Sequence, residues 1–424
     1  MKLKLQKIVD RLQKLHPKEI DLSLVRVKKL CTKLGEPQDY VNCIQVCGTN
    51  GKFSTIQAVR AILKEGNYKC NIYTSPHIKS INERFIYNDQ EISDEDLADL
   101  LSKVEEINAG NKITFFEFLT AAFFYGCKNY KKNITILEFG LFAKYDAVNI
   151  LKKNLANIVT TIGLDHLDWL PKNERTIEKI IFEKTSSLLN SKIIVAKQSS
   201  NKIMNCIENT IKNNHSKKIF FNKDYNFTLK ENDFFYFEDE FGGIKLPKPN
   251  LTGEFQLENI STAIATIRQL TDYKITNDNI KKGITKIKSI ARLQEIRSGK
   301  LKKLVKNNRL FVDGSHNPLG AKALNDHLQN LNCNKHIVLG MMANKEHDEY
   351  MSYFKNIKTL TTIDIPNQPN AIKGIELKKR IKGFDNIQNK ETIEEAIKSI
   401  PIEKNDIILI TGSLYLAGEI LNLN

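Results

Sequence analysis

The sequence predicts an α/β fold in two domains, and two observations support that prediction. Short apolar runs with the length of buried strands alternate with amphipathic helical segments along most of the chain, as in a mainly parallel sheet covered by helices. The chain also has 424 residues, more than a single domain usually holds. We therefore expect a larger N-terminal domain and a smaller C-terminal one, each with its own sheet.

The first domain is predicted over residues 1–288. Apolar spacing predicts helices over 3–15 and 22–34, and the second helix ends before Gly35 and Pro37. The strands expected in this domain are 41–47, 69–73, 134–139, 157–162 and 192–197. The helices expected around them are 54–64, 94–107, 116–128, 174–189 and 256–287. Aromatic and charged residues alternate in short runs over 218–247, which predicts a small antiparallel patch.

The second domain is predicted over residues 294–424, with the boundary near 288–293. A polar, basic stretch covers 300–309, and a second α/β series begins after it. Its expected strands are 310–313, 336–340, 359–364 and 406–411, and its expected helices are 319–330, 346–355, 374–380 and 391–399. This alternation is typical of a Rossmann-like domain.

Composition places the chain among soluble globular proteins. The hydrophobic share is 41% and the charged share 27%, and no apolar run approaches the roughly 18 residues of a membrane span. The first ten residues alternate charged and apolar side chains, unlike a secretion signal. The seven cysteines are scattered without a C-x-x-C pair, which favours reduced thiols over disulfides or a zinc site. We expect a cytoplasmic protein with no membrane partner.

The formal net charge of +15 suits anionic ligands such as nucleotides. Lysines are spread along the whole chain, and no basic block is interleaved with aromatic residues. Nucleic-acid binding is therefore the least favoured alternative, and we expect no nucleic-acid partner.

A glycine-rich turn between a predicted strand and a predicted helix is the first candidate for chemistry. The segment Gly48-Thr-Asn-Gly-Lys-Phe-Ser54 would let backbone N–H groups approach phosphate, and its lysine would neutralise phosphate charge. Its spacing departs from the common G-x-x-x-x-G-K-[ST] form, because Phe53 separates Lys52 from Ser54. An ordinary turn is the alternative, but the flanking strand and helix favour nucleotide binding.

Besides the glycine-rich turn, short motifs that carry polar and charged residues occur along nearly the whole chain. They are residues 21–37, Gly48–Lys52, Ser75-Pro-His77, Asn82-Glu-Arg84, Thr114-Phe-Phe-Glu117, 138–149, Asp165-His-Leu-Asp-Trp169, Glu183-Lys184, Gln256 with Asn259, Arg292, Asp313-Gly-Ser-His-Asn-Pro318 and Gly412–Tyr415. In this order the motifs resemble the folylpolyglutamate synthase/dihydrofolate synthase family of Mur-type ligases. The resemblance implies a Mur-ligase-like fold. It consists of a P-loop ATPase domain and a Rossmann-like ligase domain, with the active site in the cleft between them.

The resemblance also implies an activity and a set of site residues. Such enzymes use ATP and Mg²⁺ to join L-glutamate to a folate or dihydropteroate carboxylate through an acyl phosphate, and they act as monomers. The implied nucleotide-binding residues are Thr49, Asn50, Gly51, Lys52, Phe53, Ser54, Asn259, Arg292 and Asp313. The implied metal ligands are Ser75, Glu138, His166 and a carbamylated Lys184, and the implied catalytic residues are Lys52, Lys184 and His316. The implied acceptor-binding residues are Thr114, Phe115, Phe116, Glu117, Tyr145, Asp146 and Ala147.

Several of these residues also have a purely structural interpretation. Ser75 could be a turn or cap residue, Lys184 a solvated helix lysine, and Phe115 and Phe116 core residues. The Asn-Pro after His316 could simply form a turn.

The chain departs from the family pattern near the site. Phe53 replaces a small residue of the phosphate loop, and Gly140-Leu-Phe142-Ala143-Lys144 stands where the family has Gly-Leu-Gly-Gly-Arg. These changes predict weakened activity. They leave two alternatives open, a catalytically impaired nucleotide- or folate-binding homologue and a Mur-type ligase with another acceptor.

Overall fold

The computed structural model describes residues 2–18, 21–229, 234–384 and 386–424. The chain divides into two compact units. The first comprises Met1–Gly163, Lys172–Asn250 and Glu258–Ile287, and the second Leu164–Pro171, Leu251–Leu257 and Lys288–Asn424. Two short stretches of the first predicted domain therefore cluster with the second unit, and one of them contains His166.

The first unit is built on a sheet with the strand order β4-β3-β2-β5-β1-β6-β7-β8. These strands are β1 Asn42–Cys47, β2 Cys70–Tyr73, β3 Phe85–Tyr87, β4 Gln90–Glu91, β5 Ile134–Glu138, β6 Ala156–Val159, β7 Lys192–Val195 and β8 Lys218–Phe220. In this order, all neighbours from β2 to β8 pair in parallel, whereas the pairings of β2 with β3 and of β3 with β4 at one edge are antiparallel. Parallel strands covered on both faces are apolar throughout, and Ile44, Ile72 and Ile136 are fully buried in the three central strands.

Helices pack on this sheet and on one another. They are α1 Lys2–Gln13, α2 Val25–Lys33, α3 Lys52–Glu65, α4 Asp94–Asn108, α5 Phe115–Cys127, α6 Ile177–Thr185, α7 Asn201–Thr210, α8 Phe255–Gln269 and α9 Asn277–Ile284. The single helix predicted over 256–287 is wrong, because α8 ends at Gln269 and α9 begins anew after a capping box formed by Thr276 and Asn279.

The antiparallel patch predicted over 218–247 is only partly right. Lys218–Phe220 forms β8 of the parallel sheet, and a three-stranded antiparallel sheet begins at Tyr225. Its strands are β9 Tyr225–Leu229, β10 Phe234–Asp239 and β11 Gly242–Pro247, with β10 in the middle. Phe235 and Phe237 alternate inward from β10, while Phe234 and Tyr236 point outward and are partly exposed.

The second unit contains a six-stranded sheet of order β12-β13-β17-β14-β15-β16. The strands are β12 Gln294–Glu295, β13 Arg309–Val312, β14 Lys335–Leu339, β15 Thr359–Ile363, β16 Ile387–Lys390 and β17 Ile407–Thr411. The helices are α10 Lys300–Leu304, α11 Pro318–Gln329, α12 His347–Ser352, α13 Gly374–Arg380, α14 Ile393–Lys398 and α15 Leu414–Leu423. Only β12 is antiparallel, so the sheet has the expected Rossmann-like, mainly parallel character.

The predicted two-domain α/β class is confirmed. All seven cysteines are free thiols. None of the helices in the described part of the chain has both the length and the apolar character needed to cross a membrane.

Candidate active site

Of the predicted nucleotide and metal residues, the carboxyl ends of three neighbouring strands of the first unit bring together Lys52, Ser75 and Glu138. In the parallel register Val46 of β1 lies beside Glu138 of β5, and Tyr73 of β2 lies beside Leu137. The phosphate loop follows β1, Ser75 follows β2, and Glu138 ends β5. Open α/β sheets bind ligands at this edge, so its position supports a site here.

The phosphate loop needs glycine at two positions. Gly48 has φ +136°, and a Cβ there would lie 2.1 Å from Thr160 Oγ1. Gly51 has φ +90°, and a Cβ there would lie 2.2 Å from Asn259 Oδ1. Residues with a side chain are disfavoured at both backbone angles. The short distance from the Gly51 position to Asn259 Oδ1 also shows that Asn259 lies directly against the loop.

The amides of Thr49 and Asn50 bond to the chain itself. Both donate to the carbonyl of Thr161, at 2.9 and 3.1 Å, and the Thr49 hydroxyl donates to the carbonyl of Gly163 at 3.0 Å. The positive end of the helix dipole lies at the start of α3, where Lys52, Phe53 and Ser54 form the first turn. Phosphate binding is therefore better assigned to the first turn of α3 than to the amides of Thr49 and Asn50.

Lys52 folds back over the loop. Its Nζ donates to the carbonyls of Gly48 and Thr49, each at 3.2 Å, and lies 3.9 Å from Glu138 Oε1. The ammonium group is thus held between the loop and the strand end, where phosphate charge would be neutralised.

Glu138 and Ser75 are joined by a hydrogen bond. Glu138 is 5% exposed, and its Oε2 accepts from the Ser75 amide at 3.1 Å. A buried carboxylate beside a serine offers the hard oxygen donors that Mg²⁺ prefers, and the remaining positions are usually filled by water and phosphate oxygens. The described residues contain no cluster of three His, Cys, Asp or Glu side chains suited to a metal. The Glu138 carboxylate therefore fits an oxygen ligand of a Mg²⁺ ion.

Lys184 is a buried residue and not a solvated one. Its side chain is on α6, the residue is 2% exposed, and Nζ donates to the carbonyl of Leu141 at 2.8 Å. The ring of Phe142 lies 5.6 Å from the same nitrogen. The solvated interpretation is therefore wrong, while carbamylation of this lysine stays a prediction.

Asp146 organises the segment that follows Glu138. One carboxylate oxygen accepts from the amides of Gly140 and Leu141, at 2.8 and 3.2 Å, and the other accepts from Val148 at 3.1 Å. Burial raises the pKa of Asp146 to about 6, against the opposing effect of these three amides. Tyr145 beside it is 42% exposed.

The predicted acceptor-binding segment at the start of α5 is a capping box. The Thr114 hydroxyl accepts from the Glu117 amide at 3.3 Å, and Glu117 Oε2 accepts from the Thr114 amide at 2.9 Å. The Phe116 ring lies 6.0 Å from that of Tyr73, and a Cβ on Gly140 would lie 3.1 Å from Phe116 Cζ. Phe115 and Phe116 are half-buried, so the alternative interpretation, in which they are core residues, is only partly right.

The two motifs after β2 contact each other. Arg84 Nε donates to His77 Nδ1 at 3.0 Å, and Glu83 accepts from the amides of Ile78, Lys79 and Ser80. Burial and the Arg84 charge lower the pKa of His77 to about 4, so this ring is neutral at pH 7. The segment after Ser75 is thus held by side chains from its own turn.

In the second unit, a cluster forms around Asp165. Its carboxylate accepts from Lys345 Nζ at 2.8 Å and from Asn317 Nδ2 at 3.4 Å, and lies 3.7 and 3.8 Å from the Nε2 atoms of His166 and His316. Burial would raise the pKa of Asp165, but the two histidines and Lys345 outweigh it and hold that pKa well below its usual range. His166 and His316 therefore share one anionic partner.

Arg292 and Asp313 are also neighbours. The Asp313 carboxylate accepts from the amides of Leu293 and Ser315, at 2.6 and 2.7 Å, and burial raises its pKa against the opposing charge of Arg292. Ala291, the residue before Arg292, adopts φ +52°, a left-handed conformation that favours glycine.

Sequence reasoning did not assign a role to Asp165, Asn317 or Lys345. Asp165 and Asn317 stood beside assigned histidines in their motifs, which was the available signal. Lys345 follows β14, 180 residues after Asp165, and nothing in its local sequence points to that contact.

Comparison with known proteins defines the class. The model of the Mur ligase middle domain matches residues 46–267, and that of the Mur ligase glutamate ligase domain matches residues 297–414. The chain belongs to the Mur ligase family, whose members are ATP-dependent ligases.

Similar sequences and solved structures indicate which kind of Mur ligase this chain resembles. The chain is 27% identical over 425 residues to the dihydrofolate synthase/folylpolyglutamate synthase of Bacillus subtilis, covering 94% of each sequence. E. coli FolC in complex with DHPP and ADP is similar in fold, with a TM-score of 0.85, 24% identity, and 99% of this chain and 97% of that one covered. The Yersinia pestis bifunctional synthase complexed with AMPPNP and Mn has the same TM-score, at 22% identity over 99% and 97% of the chains. The predicted resemblance to the folylpolyglutamate synthase/dihydrofolate synthase family is confirmed.

The expectation of weakened activity is not borne out. Phe142 and Ala143 are buried and packed, and the Ala143 carbonyl accepts from Asn149 Nδ2 at 2.9 Å. The substituted segment is therefore accommodated within an ordered hydrogen-bonded loop.

Proposed function

We propose that this protein ligates L-glutamate to the carboxylate of a folate or of dihydropteroate, with ATP as the phosphoryl donor. The observation that carries the proposal is the meeting of Lys52, Ser75 and Glu138 at one sheet edge, next to the start of α3. The family of the chain and the substrates named for its relatives support the same activity.

The reaction would proceed in two transfers. The acceptor carboxylate attacks the γ-phosphorus of ATP, which gives an acyl phosphate and ADP. The amino group of glutamate then attacks the acyl carbon, an amide bond forms, phosphate leaves, and the amine gives up a proton. Both transfers depend on positioning and charge neutralisation more than on covalent help from the protein.

Lys52 and the first turn of α3 would hold the phosphates. The lysine is already fixed by two backbone carbonyls, so little ordering is needed when the nucleotide binds. Asn259 would support the loop through its contact at Gly51, and Arg292 and Asp313 keep their predicted nucleotide roles.

Ser75 and Glu138 would hold Mg²⁺. The ion, when bound, would neutralise phosphate charge and help orient the transferred group. Lys184 would contribute as a carbamate, and His166 keeps its predicted role as a ligand. His316, whose Nδ1 lies 2.9 Å from the Gly314 carbonyl, keeps its predicted catalytic role.

The acceptor would lie against the start of α5, from Thr114 to Glu117, and the segment from Tyr145 to Ala147. We further infer a cytoplasmic monomer that acts on small molecules. Seven free thiols are compatible with a reducing compartment.

The test is ADP release by purified protein with ATP, Mg²⁺ and glutamate, with and without dihydropteroate or tetrahydrofolate. Turnover with either acceptor supports the ligase and identifies the acceptor. ATP binding without ADP release favours the impaired homologue instead. A parallel assay offers a cell-wall precursor as the acceptor. ADP release only in that assay favours the alternative of a Mur-type ligase with another acceptor.

Glu138→Ala and Glu138→Gln are expected to lower turnover by about 100-fold or more, because each removes a charged ligand at the phosphate edge. Asp89→Asn is the matched control, since Asp89 is a carboxylate of the same unit that pairs with Arg60. It should leave turnover within about twofold of wild type. Near-normal turnover in Glu138→Gln would contradict the assignment of Glu138.

A further inference from the structure

Arg26 connects the N-terminal part of the chain to the predicted acceptor site. It lies on α2, and its Nε donates to Glu117 Oε2 at 2.9 Å. Nη1 donates to Asp21 Oδ2 at 2.8 Å and Nη2 to the Asp21 carbonyl at 2.7 Å. All three guanidinium nitrogens therefore hold partners, in the planar geometry that lysine cannot reproduce.

The oxygen that Arg26 binds is also part of the capping box of α5. Glu117 Oε2 accepts from the Thr114 amide as well as from Arg26, so one oxygen joins the guanidinium to the helix start. The Glu117 side chain is 5% exposed, against 21% for Arg26. A carboxylate buried this deeply is stabilised by a nearby cation and by hydrogen bonds, and Arg26 supplies both.

The other oxygen of the same carboxylate is unusual. Among the described residues Glu117 Oε1 has no hydrogen-bond partner, although it is buried. The orientation of the carboxylate therefore depends on the contacts of Oε2 with Arg26 and Thr114.

Phe116 lies between Thr114 and Glu117, the two residues of the capping box, so the box fixes its position at the start of α5. Thr120 Oγ1 also donates to the Phe116 carbonyl at 2.8 Å, and the Phe116 ring packs near Tyr73 and against Gly140. Gly140 begins the segment that Asp146 organises. A shift of the helix start would therefore move both predicted acceptor-binding segments relative to each other.

We propose that Arg26 is a positioning residue for the acceptor. It contacts no reacting group. It fixes Glu117 and the first turn of α5, and through Phe116 it orients the surface on which the pterin-bearing substrate lies. This inference rests on the proposed function and adds to it a residue that sets acceptor affinity and leaves ATP affinity unchanged.

The test compares Arg26→Met and Arg26→Lys with wild type, with dihydropteroate and tetrahydrofolate as probes. Acceptor KM, and acceptor Kd by calorimetry, should rise by roughly 10-fold in Arg26→Met, while ATP KM stays within about twofold. Arg26→Lys should restore only part of the affinity, because its ammonium group cannot reach Glu117 and both Asp21 oxygens in one plane.

Arg60→Met is the matched control. Arg60 donates to the Asp89 carboxylate at 3.3 Å and to the Asp89 carbonyl at 2.7 Å, and its side chain is 22% exposed, so burial and partners resemble those of Arg26. Acceptor Kd should not change in this variant. Equal effects of Arg60→Met and Arg26→Met on acceptor and ATP would indicate general destabilisation and would overturn the proposal.

Asp21→Asn covers the case in which Arg26→Met does not fold. Asp21 is partly exposed and holds the outer side of the guanidinium, so this variant should fold and raise acceptor Kd by about threefold. Unchanged acceptor Kd in both Asp21→Asn and Arg26→Lys would refute the positioning role.

If wild type turns over and the variants match it, only this inference fails. If wild type neither turns over nor binds acceptor, the proposed function fails first.

Discussion

At the scale of single residues, Gly51 shows how a backbone angle and a contact combine at one position. Its φ of +90° excludes most side chains, and its missing Cβ leaves room for Asn259 Oδ1. The loop geometry at the start of α3 therefore depends on this residue in two independent ways.

Gly51→Ala should weaken ATP binding by about 10-fold or more, because left-handed strain of about 1–2 kcal/mol adds to the clash with Asn259. Gly110→Ala is the control. Gly110 also has positive φ, +72°, but a Cβ there would meet nothing within 4 Å. It should lower the free energy of unfolding by about 1 kcal/mol and leave ATP affinity unchanged. Calorimetric titration with ATP analogues measures the difference, and equal affinities in the two variants would contradict the loop assignment.

Residue identity could be predicted where motifs are contiguous. Lys52 was predicted from the glycine-rich turn between a strand and a helix, and Ser75 and Glu138 were implied by the family resemblance of short contiguous motifs. Lys345 was not, because its contact with Asp165 joins two distant loops.

At the scale of elements, the beginnings of three strands of the second unit are tied together by one buried histidine. His336 of β14 is fully buried. One ring nitrogen lies 2.8 Å from Thr359 Oγ1 at the start of β15, and the other lies 3.0 Å from Asp406 Oδ2 just before β17. Burial lowers the pKa of His336, against the opposing effects of Asp406 and Glu403. The pKa of Asp406 is also lowered, because burial is outweighed by the hydrogen bonds from the Glu403 amide, His336 and Asn334.

A lowered folded-state pKa means that stability is present above the unfolded value and is lost as pH falls. For histidine that value is about 6.5, so the contribution of His336 to the free energy of unfolding should decrease between pH 7 and pH 5. His336→Gln should be less stable at pH 7 but lose less on acidification. Hydrogen exchange of the β14 amides across this range measures the effect locally. His215→Gln removes an exposed histidine and should retain the wild-type pH dependence, and an unchanged slope in His336→Gln would exclude the buried ring as its cause.

Element prediction failed where two signals were close together or weak. One helix was predicted over 256–287, but the structure has two, α8 and α9, separated by a break before Thr276. Apolar residues continue across the break, so periodicity alone did not show it, whereas the capping box at Thr276 starts a new helix. The hairpin of β3 and β4 and the short strand β16 were not predicted. β3 and β4 have only three and two residues, and β16, Ile-Gln-Asn-Lys, lacks the continuous apolar run that marked the four-residue strands that were predicted.

At the scale of the whole molecule, the net charge of +15 and the membership of the Mur ligase family both indicate that the protein binds anionic ligands.

ADP with Mg²⁺, at about 100 times its Kd, should raise the free energy of unfolding by about 2.7 kcal/mol. Removing the metal with EDTA should abolish most of that gain, because Lys52 alone cannot neutralise the phosphates. Thermal unfolding with ADP, with and without EDTA, measures it, and a gain that is insensitive to EDTA would contradict metal binding beside Glu138.

The sequence by itself determined the α/β class, the strand–loop–helix around Lys52 and the family, since these depend on short-range periodicity and contiguous motifs. Tertiary structure alone decided which distant residues meet. It joined Arg26 to Glu117, 91 positions apart, and Lys345 to Asp165. The physical reason is that such contacts follow from strand order, here β4-β3-β2-β5-β1-β6-β7-β8, and from how helices pack on the sheet. Local hydrophobic patterns specify a strand's faces but not its neighbours.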